Sequence, residues 1–165
     1  MFDFDLKLIN NSDDLVTLRL PMLFYITFSV ISISVFATII LYGGSVFSYI
    51  LLFVSVAALT YRESWVFSKT TKGSYYKTGI GFVYNKLKFN LKDVELLEYT
   101  TFTKGKTDNK SSFKYKILNK RYHSLKIHMS NGKDYTLLTV NDSKKTKLDD
   151  ILVAIQYITE SKVEK

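Results

Sequence analysis

The chain has 165 residues, a formal net charge of +8 and no cysteine. That length fits one domain, or one domain with an appendage, and 47% hydrophobic residues exclude an intrinsically disordered chain. The missing cysteine excludes disulfide scaffolds, zinc ribbons, iron–sulfur clusters and thiol catalysis.

Residues 1–19 form an N-terminal tail. Asp3, Asp5, Asp13 and Asp14 outnumber Lys7 and Arg19, the wrong sign for the n-region of a cleaved signal peptide. Phe2, Phe4, Leu6 and Leu8 alternate with Asp3, Asp5 and Lys7, so the tail is expected to pair along the edge of a sheet. The other reading is an interfacial segment, which the acidic charges disfavour beside an anionic leaflet.

No charged residue stands between Arg19 and Arg62, a gap of 42 residues. A helix crossing the hydrocarbon core takes roughly 20 apolar residues, so two spans fit and one would need extreme tilt. The spacing predicts spans over 20–42 and 46–61, broken at Gly43-Gly44-Ser45, where paired glycines leave the helical region at little cost. Pro21 falls where its missing N–H matters least. Tyr42, Tyr61 and Trp65 resemble an interfacial aromatic belt. Residues 62–165 carry 21 of the 23 basic residues, so the positive-inside rule puts both termini in the cytoplasm. No Asp, Glu, Lys, Arg or His lies within the spans, as a transporter or proton pathway would require. Thr27, Ser34 and Thr38 on the first span and Ser48 and Ser55 on the second are expected to let the helices, or two copies, pack closely.

Residues 62–165 change texture: they alternate, contain no proline and are rich in Tyr, Phe, Thr and Lys, which favours strands. The predicted pieces are Ser64–Thr70, Tyr75–Lys77, Gly79–Tyr84, Lys86–Leu91, Val94–Phe102 and Phe113–Leu118, with a turn at Lys92-Asp93 and a polar loop over 103–112. Asn131-Gly132 between the alternating runs 124–129 and 134–140 is the strongest hairpin signal. A helix follows over 146–160. Thr146 is its expected N-cap with Asp149 completing a capping-box pair, and Leu148, Ile151, Leu152, Ile155 and Ile158 share one face. The fold class is therefore α+β: a transmembrane helical hairpin, then a mainly antiparallel β barrel or sandwich closed by a C-terminal helix.

Catalytic constellations are scarce. His123 and His128, five apart on a strand, point to opposite faces and read as ordinary solvent or edge histidines; no metal site is expected. Asp93, Glu95 and Glu98 read as a solvated strand face, with Asp93 and Glu95 on one side if a single strand runs through both. Gly79-Ile80-Gly81 lacks the third glycine and the helix of a dinucleotide fingerprint. No enzyme activity and no cofactor are expected.

The positive charge remains. It concentrates at Lys104, Lys106 and Lys110, at Lys114, Lys116, Lys120 and Arg121, and at Lys144, Lys145 and Lys147. With Arg62 and Trp65 at the membrane edge, Lys114, Lys116, Lys120, Arg121, Lys144, Lys145 and Lys147 are candidate membrane-surface contacts, each basic residue near an anionic leaflet adding about 1 kcal/mol. Plain solubility is the competing reading. Nucleic acid is disfavoured, because base readout leans on arginine and the chain has three: Arg19, Arg62 and Arg121.

The order of elements resembles a pleckstrin-homology-like (PH-like) domain, and a two-span hairpin feeding it resembles small bacterial membrane proteins that carry such domains. The matching features are the aromatic strand after the second span (Glu63, Trp65, Phe67), the Gly79 strand start and the Lys92-Asp93-Val94 step. The Asn131-Gly132-Lys133 hairpin and the Leu148–Ile158 helix complete them. The likeness covers about residues 20–160 and is one of pattern and order. It implies a membrane-anchored binding or scaffolding protein of the bacterial inner membrane, contacting the bilayer or a protein partner, with a homo-oligomer among the options. An immunity protein and a non-catalytic accessory subunit of a transporter or secretion complex are the alternatives. One departure is the absence of a compact basic loop between the first two strands, where Lys69 and Lys72 stand alone.

Overall fold

The computed structural model describes residues 5–70, 73–104 and 120–164. The predicted strand over Phe113–Leu118 falls outside them, as do Phe2, Phe4, Lys114 and Lys116. The chain opens with two short strands, β1 (Lys7–Ser12) and β2 (Leu15–Arg19). Two apolar helices follow, α1 (Met22–Tyr42) and α2 (Val46–Thr60). Then come β3 (Tyr61–Ser68), β4 (Ser74–Ile80), β5 (Val83–Phe89) and β6 (Val94–Lys104). The chain continues through β7 (Lys120–Met129), β8 (Asp134–Asn141), α3 (Lys145–Thr159) and β9 (Lys162–Glu164). The class is α+β: β3 pairs with β4, β6 with β7 and β7 with β8 in antiparallel fashion, and β9 runs parallel to β6.

The strands form two sheets, in the orders β1-β2-β3-β4-β5 and β8-β7-β6-β9. No closed barrel exists among the described residues, which corrects the barrel half of the expectation. The N-terminal segment lies at an edge of the first sheet, but as a hairpin, with β2 between β1 and β3. Chain contacts divide the molecule into two compact units. The first comprises the described residues of Met1–Asn10, Thr17–Val66 and Tyr75–Lys88; the second comprises Asn11–Val16 and the described residues of Phe67–Ser74 and Phe89–Lys165.

In the first unit, α1 and α2 pack against each other. Gly43 takes a positive φ of 79° and ends α1, and Ser45 caps α2 by accepting from the Ser48 amide at 3.2 Å. α1 is long and apolar enough to cross a membrane; α2, at 15 residues, is equally apolar but shorter. The buried small residues of this pair are Ser32 and Ser55. Ser34 and Thr38 are exposed, with Thr38 donating to the Ser34 carbonyl at 2.9 Å. These two therefore do not form the contact within the hairpin. The buried position is Ser32, two residues before Ser34 and on the opposite side of the helix.

The second unit contains the four-stranded sheet, with α3 against β6, β7 and β8. Leu97, Leu125, Ile127 and Val140 from the strands and Leu148, Ile151, Ile155 and Ile158 from α3 are buried together in its core. α3 thus covers the face of a sheet; it does not plug the end of a barrel. Its N-cap is Lys144, not Thr146, because a 3₁₀ turn over Asp142–Lys144 runs straight into the helix. A capping arrangement is found instead at Asn90, whose amide donates to Asp93 at 2.8 Å. Asp93 therefore lies in a turn and Glu95 at a bulge in the β6–β7 register, so they do not share a strand face.

Candidate functional site

The β2–α1 junction and the β3–β4 pair build a cavity of about 510 Å³ in the first unit. Arg19 ends β2, Leu20 follows it, and Met22 begins α1. On β3, Arg62 and Ser64 share a face by strand alternation. Their partners across the ladder are Gly79 and Lys77, and Tyr75 lies two residues before Lys77 on that same face. The cavity walls thus include three cations, Arg19, Arg62 and Lys77, against one carboxylate, Glu63, which accepts a hydrogen bond from the Tyr61 hydroxyl at 2.9 Å. The apolar wall comes from Ile9, Leu20 and Met22.

Rings organise the cations. The Arg62 guanidinium lies 4.9 Å from the centre of the Tyr25 ring, Lys77 lies 4.0 Å from Tyr84, and Lys86 lies 4.3 Å from Tyr75. These are cation–π distances. They hold the charged ends in place without neutralising them. Neither Arg19 nor Arg62 has a carboxylate partner among the described residues. The Tyr25 hydroxyl also donates to the Tyr61 carbonyl at 3.2 Å, so the start of β3 is tied to α1 one turn inside its N-terminus.

Beside this face, β4 and β5 turn over at Gly81-Phe82. Gly81 has a φ of 59°, and its amide donates to the Thr60 carbonyl at 3.1 Å. The turn thereby satisfies a carbonyl orphaned at the end of α2. Phe82 is fully exposed, and Ile80 and Val83 are exposed beside it.

The second unit holds two histidine networks. His123 is 4% exposed and sits in the core, not at an edge. Its Nε2 lies 2.8 Å from Asp142, and its Nδ1 lies 2.9 Å from the Tyr99 hydroxyl and 3.1 Å from Thr101. With the proton on Nε2, that N–H donates to Asp142 and a hydroxyl donates to Nδ1. The hydrogen bond from His123 holds the Asp142 carboxyl below its ordinary value. His128 lies between Glu98 and Asp134, and Lys126 approaches Glu98 at 3.4 Å. Glu98 is accordingly an ion-pair centre on its strand, not a solvated side chain. Among the described residues no three His, Asp or Glu gather as metal ligands.

The described residues expected at the membrane surface are divided between the two units. Arg62 lines the cavity. Trp65 does not face outward: it is 1% exposed and stacked on Tyr76, its partner across the β3–β4 ladder, with ring centres 4.2 Å apart. It belongs to the core of its sheet because strand alternation turns it away from Arg62. Lys120 and Arg121 open β7, opposite Lys104 and Thr103. The Asn141 end of β8 pairs beside them, so Lys144 and Lys145 arrive at the same end of the sheet, with Lys147 in the first turn of α3. Of the expected packing residues, Ser55 is buried between the helices, Thr27 is half-buried and Ser48 serves the α2 cap.

Arg19, Lys77 and the Tyr25–Arg62 pair were not singled out from sequence. One signal was available: Arg19 and Arg62 are the two charges that bracket the uncharged stretch. A hairpin of helices brings such brackets together. No protein-family model matches the chain, and it has no match among curated proteins.

Proposed function

We propose that this chain is a membrane-anchored, non-catalytic binding module whose first unit is seated in the cytoplasmic leaflet. In this reading α1 and α2 both cross the bilayer, both termini are cytoplasmic, and the strands form the binding part. The PH-like order of elements and its bacterial inner-membrane setting belong to the same reading and rest on pattern alone.

Exposed apolar side chains cover both helices, among them Ile33, Phe36, Ile40, Phe47 and Phe53, a surface that water disfavours and lipid tolerates. α2 is six residues shorter than α1, about 9 Å at the helical rise. Joined by a three-residue loop, the two helices end at different depths, with Thr60 deeper than Met22. The observation that carries the proposal is the β4–β5 tip: Phe82 and Val83 are exposed on a turn hydrogen-bonded to Thr60 itself. An apolar turn pinned to the inner end of a spanning helix is solvated by lipid.

The test uses the full-length chain in lipid nanodiscs with Val83 replaced by Cys, the chain having no cysteine of its own. A fluorophore there is expected to be quenched by bromine-substituted lipid and shielded from aqueous iodide. A label reached freely by iodide and untouched by the lipid quencher would remove the leaflet-seated reading.

A further inference from the structure

We infer that the cavity between the β2–α1 junction and the β3–β4 pair binds the phosphate of an anionic phospholipid. The inference rests on the leaflet-seated reading above and adds a site and a ligand class to it. Among the described residues, Arg19, Arg62 and Lys77 supply three positive charges against the single carboxylate of Glu63, so this lining carries a surplus suited to a phosphate and its neighbouring oxygens. Arginine's planar fork meets phosphate oxygens two at a time, and here two arginines come from separate elements. The ring of Tyr25 under Arg62 fixes one fork before any ligand arrives, which lowers the ordering cost of binding.

The wall chemistry separates a lipid from a soluble anion. Ile9, Leu20 and Met22 line the same cavity as the cations, and Met22 is the first residue of the long apolar helix. A phospholipid presents the same sequence of surfaces: phosphate, glycerol, then acyl chain. A free phosphate would use the arginines and leave the apolar wall wet. At about 510 Å³ the space has the size of a small-molecule site and admits a headgroup with the first carbons of its chains. Cavity depth agrees with this. Arg62 is held level with Tyr25, one turn into α1, where the phosphates of a bilayer meet the hydrocarbon.

The experiment measures lipid retained by the full-length protein in detergent, by native mass spectrometry, after equilibration with equal phosphatidylglycerol and phosphatidylcholine. Wild type is expected to prefer phosphatidylglycerol about tenfold, because the two lipids share the phosphate but the quaternary ammonium of phosphatidylcholine is repelled by the same three cations. Arg19→Gln with Arg62→Gln should abolish the preference. Arg62→Lys should lower it several-fold while keeping the charge, since lysine lacks the fork. Lys92→Gln with Lys133→Gln, an equal loss of charge elsewhere, should leave it intact. Equal retention of both lipids by wild type, or equal loss of preference in the two double variants, overturns the site. Displacement of lipid by millimolar glycerol 3-phosphate overturns the lipid assignment in favour of a soluble phosphate ligand. The Val83 label reports separately: a quenched label with no lipid preference removes this site alone, and an unquenched label removes the seating as well.

Discussion

On β7, His128 donates to or shares a proton with Glu98 at 2.8 Å and Asp134 at 2.7 Å. Partial burial opposes its charged form, but the two carboxylates outweigh burial and raise its pKa above the ordinary 6.5. A raised folded pKa contributes stability that is complete below the unfolded value and is lost as pH rises through the folded one. Wild type should therefore exceed His128→Gln in thermal midpoint near pH 6 and approach it near pH 9, a convergence read by circular dichroism. Glu98 titrates in the opposite sense. The His128 hydrogen bond lowers its pKa from 4.5, so its contribution is present above that value and fades as pH falls below it. A gap between wild type and Glu98→Gln that persisted unchanged down to about pH 2 would contradict the pairing. Trp65 offers a simpler test. It is buried and stacked on Tyr76, so Trp65→Ala should cost about 3–5 kcal/mol in urea unfolding, and Trp65→Phe distinctly less because a ring remains.

A Cβ at Gly79 would run into the Val83 carbonyl oxygen and the Tyr84 Cα, both backbone atoms with no rotamer to escape into. Gly79→Ala should destabilise the β4–β5 hairpin by about 1–3 kcal/mol, seen as faster amide exchange across β5 with α3 unaffected. The same segment marks where sequence pattern misleads. The sequence predicts one strand over 79–84 and a break just before it at Gly79; the chain instead runs on through Gly79 and reverses at Gly81-Phe82. Turns are recognised by polar residues, and this one carries phenylalanine. The β7–β8 hairpin at Asn131-Gly132 was legible because its turn faces water: Gly132 has a φ of 74°, and the Asn131 side chain accepts from the Lys133 amide at 3.0 Å. The apolar face of α3 was legible for a similar reason, its period being set by one buried sheet. The cavity was hidden because its cations come from residues 19, 62 and 77, which only the return of the helices and the β3–β4 register bring together.

For the whole molecule, the spanning question turns on α2. Fifteen residues reach about 22 Å, well short of the roughly 30 Å hydrocarbon core, whereas the 21 of α1 reach about 31 Å. A helix too short to cross alone is tolerated when its end is met by protein groups, since an exposed backbone carbonyl in hydrocarbon is costly. α2 has that provision: the Tyr61 amide donates to the Ala58 carbonyl and the Gly81 amide to the Thr60 carbonyl. The chain should therefore cross twice, with the β4–β5 tip completing the second crossing. Single cysteines at Ser12, Gly44 and Ser161, introduced into the cysteine-free chain, report this directly in sealed membrane vesicles. Positions 12 and 161 should react with an impermeant maleimide from the same side, and position 44 from the opposite side. Reaction of 12 and 161 from opposite sides would mean a single crossing. It would then leave α2 lying in the interface and separate Arg62 from the face of the bilayer that Arg19 occupies.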